Sequence, residues 1–238
     1  PPEEFKDLSS YDEIAIDLET KDPELKTMGS GSVTGQAEIV GIALAVEGWS
    51  AYYPIAHEGG GNMDRKKVMD YFRTVLNYSS TKIFHNAMYD VCFIRAAGLK
   101  INGTIVDTMI AGSLVNENRF RYDLGSLGRD YLGKGKNEAV LLETAKQWGI
   151  DPKSEMYKLP AMYVGEYAER DAELTLELWQ EMKKQMLAEE VTSIFELETE
   201  LFPCLVDMRF LGVRVDVEAA NQLKHKLLTE EKECLQKV

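Results

Sequence analysis

The sequence lacks most of what would mark a secreted, metal-stapled or membrane protein. Its 238 residues include three cysteines, Cys92, Cys204 and Cys234, an odd and widely spaced set without CxxC pairs. That excludes a disulfide framework and a zinc knuckle, and the expected compartment is reduced and cytosolic in type. Long apolar runs are also missing. The mean hydropathy is −0.27, and no uncharged stretch approaches the ~18 residues of a spanning helix, so no contact with a membrane is expected. The amino end, Pro1-Pro2-Glu3-Glu4-Phe5-Lys6, has no apolar core and no Arg-rich face, and no targeting signal is expected there. Positive charge is scarce: 27 Lys and Arg stand against 40 Asp and Glu, for a net −13. A sequence-independent duplex clamp needs many basic contacts to phosphate and is disfavoured. A nucleic-acid enzyme is not excluded, because carboxylates can recruit divalent cations that supply the positive field.

What is present is a globular chain. With 45% apolar and 9% aromatic residues, it can bury the core of one large α/β domain or two small ones. Period-two alternation predicts a strand over 13–20, and two more follow at 39–46 and 51–56 across a short turn at 47–49, giving a three-stranded meander. Residues 21–36 and 58–62 are predicted loops; the Gly/Ser run at 29–35 has no GK[ST] ending and is not a phosphate loop. A helix at 64–76, a strand at 82–85, a helix at 89–97 and a strand at 105–107 come next, and helical patterns dominate afterwards. The order βββαβα, then mostly α, predicts an α/β fold with one mixed sheet and helices on both faces. A boundary is expected near residue 190, dividing a domain at 1–190 from a helical segment at 191–238. In that segment a helix at 195–210 is bent or interrupted by Pro203, and a last helix starts after Asp216 and runs on without a stop signal, as in a piece of something longer.

Three acidic clusters could carry chemistry. Asp17 and Glu19, two apart at a strand end, project from one face and can share a cation site. In His85-Asn86-Ala87-Met88-Tyr89-Asp90 a strand runs into a helix with Asp90 in its first turn. In Tyr167-Ala168-Glu169-Arg170-Asp171 the tyrosine and the last aspartate are i and i+4 on one helix face. Four converging carboxylates without matching basic partners repel one another, and hard divalent cations that prefer oxygen relieve this. Two such ions about 3.5–4 Å apart can activate water on one side of a phosphodiester and stabilise the leaving oxygen on the other. Alone, each cluster reads as surface charge; their order and context carry the signal.

With Asp17-Leu18-Glu19-Thr20, Asn86 to Asp90 and Tyr167 to Asp171 in this order, the sequence resembles the DEDD exonuclease superfamily in its tyrosine-bearing branch. The tail from Leu197 through Asp216 resembles the passage from proofreading to polymerase domain in family A DNA polymerases, of phage or bacterial kind, and Asp107-Thr108 with 122–127 is also similar. The resemblance covers about residues 11–216. It implies a ribonuclease H-like fold with a helical C-terminal extension, and two-metal 3′-to-5′ hydrolysis of DNA with Mg²⁺ or Mn²⁺ as cofactor. Asp17 would bridge both metals, Glu19 and Asp171 complete the first, Asp90 support the second, and Tyr167 orient the attacking water. Thr20, Asn86 and His85 would contact the terminal nucleotide or brace the site. The implied partners are a single-stranded DNA 3′ end and the remainder of a polymerase chain, in a bacterial or phage-infected cytoplasm; residues 191–238 would begin the polymerase domain, whose palm motifs are absent here. Two features depart from the family's commoner pattern, Tyr89 in place of Phe and the long Gly/Ser loop. Two rivals are a ribonuclease D-like RNA-trimming enzyme, which would lack the polymerase-like tail, and a non-catalytic DNA-binding scaffold, which would be expected to have lost a carboxylate. Elsewhere, His57 and His225 are expected at the surface, and His85 is expected to make a structural hydrogen bond. Trp148, Trp179 and Phe195 are expected to pack helices. Arg119, Arg121, Arg129, Lys134 and Lys136 are candidates for a phosphate-tracking rim.

Overall fold

Alternation along the first strand divides its side chains between two faces. In the computed structural model, which describes residues 1–152 and 154–237, β1 (Glu13–Lys21) buries Ile14, Ile16 and Leu18 on one side and sets Ala15, Asp17 and Glu19 on the other. β2 (Glu38–Val46) pairs antiparallel with β1 and β3 (Trp49–Pro54) antiparallel with β2 to complete the meander, and Gly48, at φ 74, turns between β2 and β3. β4 (Thr81–Phe84) and β5 (Ile105–Asp107) add in parallel, for a sheet order β3-β2-β1-β4-β5. The mixed sheet expected from the element order is what the chain forms.

The helices are α1 (Leu25–Met28), α2 (Gly31–Thr34), α3 (Arg65–Asn77), α4 (Ala87–Ala96), α5 (Thr108–Val115), α6 (Leu124–Leu132), α7 (Ala139–Trp148), α8 (Gly165–Ala188), α9 (Thr192–Leu211) and α10 (Val217–Leu235), with short 3-10 turns at Met156–Lys158 and Ala161–Tyr163. α8 buries Ala168, Ala172, Thr175, Leu178, Trp179 and Met182 at helical spacing. It packs against the sheet where Ala15, Ala43 and Ala45 keep the surface low. α3 begins at Asp64, whose carboxylate accepts from the Lys67 amide at 2.9 Å, and buries Val68, Phe72, Val75 and Leu76.

Two local expectations need correction, and one buried group was not foreseen. Residues 21–36 are not plain loop: Asp22 is buried, its two carboxylate oxygens accept from the Gly31 amide at 3.2 and 3.0 Å, and the segment winds into α1 and α2 around it. α9 runs through Pro203 without interruption. Lys82, inside β4, is fully buried, with its ammonium donating to the carbonyls of Tyr78, Ser80 and Asn102 at 2.6, 2.9 and 2.8 Å; burial lowers its pKa to about 8.

The chain divides into two compact units, Pro1–Val206 and Asp207–Val238. The first holds the sheet and α1 to α8. In the second, α10 is capped by Asp216, which accepts from the Ala219 amide at 2.9 Å. Among the described residues no helix is long and apolar enough to cross a membrane.

Candidate active site

The end of β1 is built to present carboxylates. Its register sets Asp17 opposite Ala43 and Glu19 opposite Gly41, so neither acid meets a bulky neighbour across the strand. Gly41 has no room for a side chain, since a Cβ there would lie 1.9 Å from the Tyr52 hydroxyl. Past Glu19 the register slips by a bulge, a device that re-aims side chains beside functional sites. The Thr20 hydroxyl, next along, lies 2.7 Å from that of Tyr89. Asp90 approaches from the first turn of α4, where one of its oxygens accepts from the Leu18 amide at 3.0 Å. The second cluster is thereby tied to the first by a buried bond.

The placement of α4 rests on Asp107, at the end of β5. Its carboxylate accepts from the amides of Asn86 at 2.9 Å and Ala87 at 2.7 Å at the start of α4, and from Met109 at 2.8 Å at the start of α5. One buried acid therefore caps two helices. Asn86 itself is in the left-handed region, at φ 63, with an exposed side chain that makes no cap bond. Asn and Asp tolerate this conformation better than most residues.

The third cluster enters on α8. Asp171 is buried, Tyr167 is half-buried one turn before it, and both meet Lys136 from the segment between α6 and α7. The Lys136 ammonium ion-pairs with Asp171 Oδ2 and donates to the Tyr167 hydroxyl at 3.3 Å. The other Asp171 oxygen is buried without a hydrogen-bond partner.

The four acids act on each other electrostatically. Burial, then Asp171, raises the Asp17 pKa to about 7 against the pull of Lys136. Burial, then Asp17 and Asp171, pushes Glu19 well up. Burial and Asp17 do the same to Asp90, opposed by the Leu18 amide. Burial raises Asp171 too, although Lys136 opposes it. Tyr167 is pushed upward by burial and by the Glu19, Asp171 and Asp17 charges, so its hydroxyl keeps its proton at neutral pH.

The site thus unites Asp17, Glu19, Asp90, Tyr167 and Asp171, with Thr20 and Asn86 on its flanks. His85 follows β4 with Nδ1 2.8 Å from the Thr108 hydroxyl, so its structural bond runs to the start of α5 and not, as expected, within the strand; its Nε2 is buried without a partner, and burial lowers its pKa to about 4. His57 is not at the surface. It is buried, its Nδ1 2.9 Å from the Leu159 carbonyl and its Nε2 2.7 Å from the Tyr52 hydroxyl. The carbonyl can only accept, so Nδ1 carries the proton and Nε2 accepts from the tyrosine. His225 is exposed as expected. Trp179 and Phe195 pack at 5.4 Å between ring centroids, whereas Trp148 is half-exposed. Of the basic residues expected at a rim, Arg119 pairs with Asp130, Lys134 with Glu177, and Arg129 donates to the Ser126 hydroxyl. Lys136 is inside the cluster. Sequence reasoning gave no role to Asp107, Tyr52 or His57, whose bonds join segments that no local pattern links, as from His57 to Leu159 and from Asp107 to Asn86 and Ala87.

All-oxygen donors that raise one another's pKa, with one buried oxygen unpartnered, fit hard divalent cations. Among the described residues no three Asp, Glu, His or Cys side chains already stand at ligand geometry, and it is Lys136 that supplies counter-charge.

A 3′-5′ exonuclease family profile matches residues 3–187. A DNA-directed DNA polymerase of Pseudomonas phage M6 is 34% identical over 230 residues, covering 94% of this chain and 35% of that protein. A DNA polymerase I of Chloroflexus aurantiacus is 25% identical over 201 residues, covering 79% and 20%. The chain thus spans only a part of these relatives. Among solved structures, Brucella melitensis NrnC with bound Mg²⁺ superposes with a TM-score of 0.62 at 18% identity, covering 87% of this chain and 89% of that one. Escherichia coli RNase D, an exoribonuclease, gives 0.55 at 16%, covering 87% and 47%. At such identities these two likenesses speak for the fold alone.

Proposed function

The chain belongs to the 3′-5′ exonuclease family, and from that footing we propose that it is the proofreading module of a family A DNA polymerase, hydrolysing the last phosphodiester of a single-stranded or frayed DNA 3′ end. The observation that carries this reading is the convergence of Asp17, Glu19, Asp90 and Asp171, from β1, α4 and α8, around the Tyr167 hydroxyl. Asp17, Glu19, Asp90 and Asp171 would hold two divalent cations, Mg²⁺ or Mn²⁺. Bound there, such cations supply an activated water and charge stabilisation of the leaving oxygen.

The chain's own residues do the rest. Tyr167 keeps its proton, so it serves as a hydrogen-bonding group that orients the attacking water and not as its base. Thr20, braced by Tyr89, and the exposed Asn86 flank the place where a terminal nucleotide would lie. His85 stays neutral and is suited to hydrogen bonding at the same edge. A pocket that takes one separated nucleotide favours ends whose unpairing costs least.

The exonuclease domain is assigned to 1–190, supported by the family match ending at residue 187. Residues 191–238 are assigned to the start of a polymerase domain. The rest of a polymerase chain is the proposed partner, supported by the relatives' greater length and by exposed apolar side chains: Ile194, Leu197 and Leu201 on α9, and separately Leu223, Leu227 and Leu228 on α10. A cytoplasmic setting follows from the phage and bacterial sources of the relatives. The experiment is digestion of a 5′-labelled single-stranded DNA with Mg²⁺. A ladder of shortening products that EDTA abolishes, formed faster from a mismatched than from a matched duplex end, is the expected result. Digestion that survives EDTA, or equal rates on both ends, contradicts the reading.

A further inference from the structure

Among the described residues the counter-charge of the acidic cluster comes from the Lys136 ammonium, and its position has consequences for metal binding. Lys136 lies in the segment between α6 and α7, directly after Gly135 and three residues after Gly133, which is in the left-handed region. Its side chain is 22% exposed. It reaches Asp171 Oδ2, donates to the Tyr167 hydroxyl at 3.3 Å, and stands 5.2 Å from the centre of that ring. The same charge draws down the pKa values of Asp17, Glu19 and Asp171, against the burial and mutual repulsion that raise them. One lysine is thus electrostatically engaged with three of the four acids and bonded to the tyrosine.

We propose that Lys136 is the internal counter-ion of this site, which a divalent cation must displace from Asp171, so that metal binding is an exchange of cations and not a simple addition. This rests on the reading of the four acids as cation ligands. The physical ground is that an ammonium on Asp171 Oδ2 and a divalent ion at the unpartnered Oδ1 would repel each other strongly across one buried carboxylate. Gly135, directly before Lys136, gives the backbone there freedom to let the side chain withdraw. While the lysine is in place it bonds both Asp171 and Tyr167, one turn apart on α8. Lys136 is therefore a positioning residue whose effect on cation affinity is opposite to that of a ligand: removing it strengthens binding.

The test is calorimetric titration of the DNA-free 238-residue chain with Mn²⁺, comparing wild type, Lys136→Gln and Lys136→Arg, alongside thermal melts without metal. Lys136→Gln is expected to bind Mn²⁺ about tenfold more tightly, because a neutral amide no longer competes for the carboxylate. It is also expected to melt lower in the absence of metal, with a larger rise on adding Mn²⁺. Lys136→Arg keeps the charge and is expected to bind close to wild type. A purely structural lysine would lower the melting point without tightening the metal. Equal or weaker Mn²⁺ binding by a folded Lys136→Gln overturns the inference and leaves the cation-site reading standing. No Mn²⁺ binding by any of the three proteins overturns both.

Discussion

At the scale of the residue, the site sorts its groups by environment. Tyr167 has its proton locked on by burial and three nearby acids, so its contribution is the aim of a hydrogen bond. Tyr167→Phe keeps the ring beside Asp171 and is expected to slow single-turnover hydrolysis of single-stranded DNA on the order of a hundredfold, with little change in melting temperature. A wild-type rate would reduce the Tyr167 to Asp171 spacing to packing. His57 makes the opposite kind of contribution. Burial lowers its pKa to about 4 from 6.5, so between those values the unfolded chain takes up a proton that the folded chain refuses. Stability from this residue is complete above about pH 6.5 and is lost as the pH falls toward 4. The advantage of wild type over His57→Gln in thermal melts is therefore expected to shrink across that window, and a constant gap would contradict the buried, neutral assignment. The sequence offered no hint of this, because a lone histidine after a strand is silent about a tyrosine five residues back and a carbonyl 102 residues on.

At the scale of the element, the acids that matter are set by where helices and strands begin and end. The sheet was legible because period-two alternation and small turns report directly on strands, and α8 because its buried residues repeat at helical spacing. The motifs at Asp17, Asp90 and Asp171 were legible through their order along the chain and the family resemblance that this order carries, since each alone reads as surface charge. The segment at 21–36 was not, since α1 and α2 are single turns organised by the Asp22 carboxylate and by packing so tight that a Cβ on Gly31 would lie 2.8 Å from that of Ala37. Local composition reads such glycine as loop. Asp107 belongs here as well, since it holds the starts of α4 and α5 in one bond network. Asp107→Ala is expected to cost about 2–4 kcal/mol in chemical denaturation, more than one ordinary helix cap, because several amides lose their acceptor in a buried place. A loss below about 0.5 kcal/mol would show that α4, and Asp90 with it, is held by packing alone.

At the scale of the whole molecule, on the proposed reading, a chain of net charge −13 meets a polyanion by concentrating its acids in a small cluster and not by coating a surface with lysine. The basic residues at 119, 129 and 134 are largely engaged with the protein's own groups, which leaves attraction for phosphate to whatever cations the cluster gathers. On that balance, DNA is expected to bind weakly in the absence of divalent metal. The central claim, that the end of β1 is the centre of a hydrolytic site, is tested most directly by replacing Asp17 and Glu19 together with Ala and following 5′-labelled single-stranded DNA with Mg²⁺. The account predicts that the double variant folds, because these acids repel their neighbours and carry no cap or core contact, and that it produces no ladder of shortened products. A folded double variant that digests the DNA at a rate near that of wild type would contradict it.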